Sequence, residues 1–325
     1  MRTWIPRFLV PAICMLGCVA APAAEGAPFP SRPIKFVVPY SPGGLADMVA
    51  RLVASTAAPK LGQPVIVENR AGANGTIGTA AVANAEPDGH TLAFVASSHV
   101  FGRALMPSLG YDPLKSFAPI TLATRTPVVF VASAKLPVAS MADFIAYARQ
   151  HPKELSFASA GSGSNVHVFG QWLNSAANLQ MTHVPYKGSA AAHMDLVSGI
   201  VNAAFDTLPS VQPQVTTGGL RLLAVGSSQR LPQYPGVPTV AESGIKGFEA
   251  GSWVAVLAPA RTPQPVVQVL NRAIAEALRT PAVQKKLKDA GAEVVAGTPE
   301  DLAALMASEE RRYGELIRRL AITAD

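Results

Sequence analysis

Four places in this 325-residue chain combine glycine, small hydroxyl residues and acids in a pattern that could hold a small anion. They are Tyr40–Asp47, Gly72–Gly78, Ser159–His167 and the single acid Asp206. Glycine lets backbone N–H groups come close to a ligand. At the start of a helix those groups carry partial positive charge that favours an anion. Hydroxyls of Ser97, Ser98, Ser162 and Ser164 would add neutral donors. Such a grip needs no buried Arg and suits reversible capture of a carboxylate. Asp47 reads as a cap on its own helix, and His167, on the first turn of the next, as the residue that orients its loop. Asp206 ends the apolar run Ala203-Ala204-Phe205 and has two readings. It could meet a ligand amine, hydroxyl or protonated second carboxyl, or it could cap a loop.

Catalytic readings are weaker. Gly161-Ser162-Gly163-Ser164 is not a nucleophile elbow, and neither a dinucleotide fingerprint nor a phosphate loop occurs. The six histidines show no metal-ligand spacing, so neither cofactor nor metal is expected. A secreted serine hydrolase built on Ser164, His167 and Asp206 is the enzyme alternative. Two of the three fall within one helical turn, which argues against a triad.

These loops need strands and helices to hold them. Ile34–Tyr40 is an apolar β-type run, Ser41–Gly44 a sharp turn, and Leu45, Met48, Val49, Leu52 and Val53 recur at helical spacing. Alternation continues through strands near 64–68, 91–96, 128–132, 156–159, 182–186, 200–205 and 220–225, with helices between several of them. Ser189 reads as an N-cap, and Trp253–Ala258 as a strand leaving this region before a helical tail. The expectation is an α/β protein of two domains with mainly parallel sheets. The chain crosses between the domains twice, near 123–128 and 251–256. Residues 25–125 plus 255–325 would form domain 1, and 126–254 domain 2. Ligands in such sheets sit beyond the carboxyl ends of the strands, which places the cleft between the domains.

The N-terminus sets the compartment. Arg2 and Arg7 precede an uncharged run from Phe8 to Ala24 that ends in small residues, the pattern of a cleaved signal peptide over 1–24. Met15-Leu16-Gly17-Cys18 is a poor lipoprotein box, so a soluble periplasmic form is expected. Both cysteines lie in this segment, leaving a mature chain without disulfides that relies on core packing. The formal charge of +6 includes the two leader arginines. No basic run or basic–aromatic interleaving supports nucleic-acid binding. A monomer with a small-molecule ligand is expected.

The sequence resembles the Bug family, the periplasmic solute receptors of tripartite tricarboxylate transporters. The resemblance rests on segments spread in order over nearly the whole mature chain. They are Pro39–Asp47, Val67–Gly75, Pro87–Leu92, Val184–Gly188, Leu222–Val225 with Val237-Pro238-Thr239, and Trp253–Pro259. It implies a Venus-flytrap fold (type II-like) with two crossing strands, no enzymatic activity, and delivery of an organic acid to membrane permease subunits. It also implies that Tyr40, Gly43, Gly44, Asn74, Ser97, Ser159, Ser162, Gly163 and Asp206 face the ligand. Ser164 belongs to the same gripping loop. Leu45 stands where the family often has a small or polar residue, which implies a less polar ligand. A solute sensor that presents its ligand to a signalling partner would look the same in sequence.

Overall fold

The computed structural model describes Met1 and residues 29–324, so the expected signal peptide lies outside the described residues. The first half of the molecule contains β1 (Ile34–Val38), α1 (Leu45–Leu61), β2 (Val65–Asn69), α2 (Thr76–Ala83), β3 (Thr91–Ala96) and α3 (Gly102–Leu105). A long strand, β4 (Phe117–Ser133), leads out of it. The second half contains α4 (Met141–Gln150), β5 (Ser156–Ser159), α5 (Asn165–Ala176), β6 (Thr182–Pro185), α6 (Ser189–Ser198), β7 (Ala203–Thr207), α7 (Leu208–Thr216) and β8 (Leu220–Val225). The chain returns along β9 (Gly251–Pro259) and ends in α8 (Gln264–Leu278), α9 (Pro281–Asp289), β10 (Glu293–Val294) and α10 (Pro299–Arg319).

The main sheet path runs β2-β1-β3-β9-β4-β7-β5-β6, with β8 and β10 also pairing with β4. β4 belongs to both halves. Up to Pro127 it pairs with β9, and from Val128 it pairs with β7. The expectation of mainly parallel sheets needs correction. β1 pairs in parallel with β2 and β3, and β5 with β6 and β7. Every pairing made by β4 and β9 is antiparallel. A strand that leaves one half and a strand that returns beside it must run in opposite directions.

The apolar pattern explains the layers. Trp253–Pro259 is buried throughout, as a central strand covered on both faces requires. In α8, Val267, Leu270, Ile274 and Leu278 recur at three- and four-residue spacing and are all buried. α10 begins with a reciprocal cap in which Thr298 and Asp301 satisfy each other's backbone N–H. It also touches both halves. The Tyr313 ring lies 4.8 Å from Phe101 and 5.8 Å from Phe169 between ring centres. Arg312 bonds the carbonyl of Glu249 at 3.0 Å and stacks over Trp172.

Candidate functional site

A cleft of about 590 Å³ lies between the two halves. The first half contributes Tyr40 after β1, Gly43–Met48 at the start of α1, and Ala96 at the end of β3. The second half contributes Ala160, Asn165 and Val166 around the start of α5, Ser189 at the start of α6, and Asp206, Thr207, Pro209 and Ser210 where β7 passes into α7. Thr126, Ser252, Trp253 and Val254 on the crossing strands form the floor, and Asp289 and Ala290 close one flank. Helix starts from both halves therefore meet at strand ends, the usual ligand position in α/β sheets.

The first half presents backbone. Gly44 is the N-cap of α1, and among the described residues no side chain caps that helix. The first turn of a helix has N–H groups without intrahelical partners. The residues of that turn in α1, Leu45–Asp47, line the cleft. Asp47 does act within its own helix start: its carboxylate accepts the Gly43 N–H at 3.0 Å, Arg51 at 3.0 Å and the Asn69 amide at 2.9 Å. Burial alone would raise its pKa, but hydrogen bonds from Arg51, Gly43 and Asn69 outweigh it and hold Asp47 below the usual carboxylate range. The Gly43 N–H is thus engaged inside the protein. The Tyr40 hydroxyl accepts the Ala96 N–H at 2.9 Å, and burial raises its pKa, keeping it neutral.

The glycine-rich loop of the second half is held from beneath. The Ser164 hydroxyl donates to Gly161 O at 2.7 Å and accepts the His167 N–H, capping α5. His167 Nδ1 accepts the Gly163 N–H at 3.1 Å, which makes it a loop-orienting residue. Its ring stacks on His183 at 3.7 Å between ring centres, and His183 in turn bonds the Ser159 hydroxyl at 2.7 Å. Two bonds tie this loop to the first half. The Asn74 amide donates to Gly163 O at 3.0 Å, and the Asn165 amide donates to the Ser97 hydroxyl at 3.2 Å.

Of the residues expected at the ligand, Tyr40, Gly43, Gly44, Leu45 and Asp206 line the cleft. Asn74, Ser97, Ser159, Gly163 and Ser164 instead order the adjoining loops through the bonds above, and Ser162 lies half-buried between Gly161 and Gly163. Asp206 is 7% exposed; its carboxylate bonds His193 Nε2 at 2.8 Å and accepts the Thr207 N–H at 2.7 Å. Asp206 therefore pairs with His193, while Ser164 caps α5 and His167 holds Gly163. The hydrolase alternative loses its relay. Ser189 is the first residue of α6, whose N-cap is Gly188.

Sequence reasoning placed Asn165 within a ligand-side segment but did not place Met48, Thr207, Ser210, Trp253 or Asp289 at the cleft. Thr207 and Ser210 were hidden because α7 was not expected. Two prolines, Pro209 and Pro213, fall within α7; a proline in the first turn, as Pro209 is, fits a helix well.

This geometry is that of a two-lobed solute-binding protein with a cleft at the crossing strands. Residues 49–322 match the model described as "Tripartite tricarboxylate transporter family receptor". Protein BugT of Bordetella pertussis is 38% identical over 313 residues, 94% of this chain and 96% of BugT. The solved periplasmic binding protein BugD is 36% identical with a TM-score of 0.80, covering 91% of this chain and 100% of that one. An R. palustris protein solved with adipate is 35% identical with a TM-score of 0.82 over the same shares. The chain belongs to the tripartite tricarboxylate transporter family of receptors, which includes the Bug proteins.

Proposed function

We propose that the protein captures a small organic carboxylate in this cleft and presents it to the membrane subunits of a tripartite transporter. The observation that carries this reading is the start of α1, which faces the cleft with no side-chain cap. Backbone N–H groups and the helix dipole there offer an anion several donors without a competing positive side chain. The related structure with adipate supports the ligand class. Tyr40, Gly44, Leu45 and Asp206 would contact the ligand. Asn74, Ser97, Ser159, Ser162, Gly163 and Ser164 would shape the wall of the cleft and hold the closed form.

The lobes would be 25–125 with 255–325 and 126–254, a division supported by the change of partner at Pro127 and Val128 of β4. Ligand contacts from both lobes would favour closure, since only differential contact shifts an open–closed equilibrium. The protein would work in the periplasm as a monomer, released by cleavage of residues 1–24, and would bind without turning its ligand over. A thermal-shift screen of the mature protein against carboxylates, amino acids and sugars tests this. Carboxylates should raise the melting temperature. Stabilisation by sugars or amino acids alone would refute the reading.

A further inference from the structure

The lining of the cleft narrows the ligand further, given the carboxylate reading above. Its residues include three carboxylates, Asp47, Asp206 and Asp289, and no Lys, Arg or His. Each already has a partner bound to it: Arg51 on Asp47, His193 on Asp206 and Lys285 on Asp289. None of these three partners is among the lining residues. Asp206 bonds both His193, on the second turn of α6, and the N–H of Thr207 at the start of α7. The Asp206 carboxylate thus stands beside the second turn of α6 and the start of α7. Elsewhere the second half offers the cleft the neutral residues Ser189, Thr207 and Ser210.

Besides the polar residues Tyr40, Thr126, Asn165 and Ser252, the remaining lining is glycine and apolar side chains. Leu45 and Met48 lie three residues apart on α1, and Val166, Pro209, Trp253 and Val254 complete the surface. Met48 is 37% exposed, an open apolar side chain on the wall of the cleft. Covering such surface contributes about 25 cal/mol per Å² removed from water.

We infer that the ligand is a monocarboxylate with an apolar body, whose single charge sits at the start of α1 and whose body lies on Leu45, Met48 and Trp253. A second carboxylate would be placed against Asp206 or Asp289 and would meet like charge without a cation to answer it.

Calorimetric titration of the mature protein at neutral pH with matched acids, hexanoate against adipate and benzoate against terephthalate, tests the inference. The monoacid of each pair should bind at least about tenfold more tightly. Tighter binding of the diacids would overturn the inference and leave the carboxylate reading standing. No binding by any of the four would remove this inference, and failure of all carboxylates in the thermal screen would remove the broader reading as well. Two variants separate the causes. Asp206→Asn should narrow the gap between hexanoate and adipate, and Met48→Gln should weaken hexanoate several-fold with little effect on adipate. An unchanged gap in the first and equal losses in the second would contradict the assigned roles.

Discussion

The side-chain amide of Asn74 donates to the carbonyl of Gly163 at 3.0 Å, joining residues 89 positions apart from opposite halves of the molecule. Asn74 reaches it from a left-handed backbone conformation, with φ at 52° and glycines on both sides of its loop. The bond is an interlobe latch beside the cleft.

Removing that donor should favour opening. A net hydrogen bond contributes about 1 kcal/mol, so Asn74→Ala should weaken acid binding roughly fivefold. Asn74→Asp should do more, because it sets a carboxylate against a carbonyl oxygen. Calorimetric affinity, together with the radius of gyration from solution scattering, checks this. Equal affinity in all three proteins would show that the latch does not bear on closure.

A second contact between the halves is made where Gly291 meets Pro209. A Cβ on Gly291, where φ is 68°, would lie 2.1 Å from the ring of Pro209 at the start of α7. Gly291→Ala should therefore hold the lobes apart and lower affinity by about tenfold or more. Gly218→Ala is the control: its φ is similar, at 78°, but nothing lies within 4 Å. It should lose stability by about 1 kcal/mol from backbone strain alone and keep its affinity. Matching affinity losses in the two variants would contradict the steric account.

Behind the floor of the cleft, Glu309 accepts the Trp253 indole N–H at 2.7 Å. Burial, opposed by Trp253 and by Arg312 and Arg125, pushes the Glu309 pKa up to about 7 from the ordinary 4.5. Between those values the folded protein holds a proton that the unfolded chain has released. Its contribution to stability is full below about pH 4.5 and is lost as pH rises through about 7. Glu309→Gln should flatten that part of the stability–pH curve, read as denaturation midpoints from pH 4.5 to 8. A variant curve parallel to the parent's would show that another group titrates there.

The elements most legible in sequence were those whose residues sit next to one another. The turn Ser41–Gly44 and the helix after it followed from local glycine and apolar spacing, and Asp47 was read as a cap on its own helix and His167 as a loop-orienting residue. Asp206 was open between two roles because its partner His193 arrives from α6 by folding. β4 was read only over 128–132. Its earlier part carries Pro119, Thr121, Thr124 and Arg125, which interrupt the apolar pattern, and its pairing with β9 shifts register at two points there. Trp253, Asp289 and Ala290 reach the cleft from the far end of the chain, and no local spacing encodes that.

The central claim is that backbone N–H groups at the start of α1 hold the carboxylate. Leu45 is the first residue of α1, and Gly44 before it is extended, with φ at −77° and ψ at 171°. Proline is tolerated at that helical position and after an extended residue. Leu45→Pro would thus delete one N–H while keeping the helix start, and Leu45→Ala would delete only the side chain. The deciding measurement is the affinity of both variants for one carboxylate by titration calorimetry. A hydrogen bond to a charged group contributes about 1.5–3 kcal/mol, so Leu45→Pro should bind at least about tenfold more weakly than Leu45→Ala. Equal affinities in the two variants would contradict a backbone grip at α1.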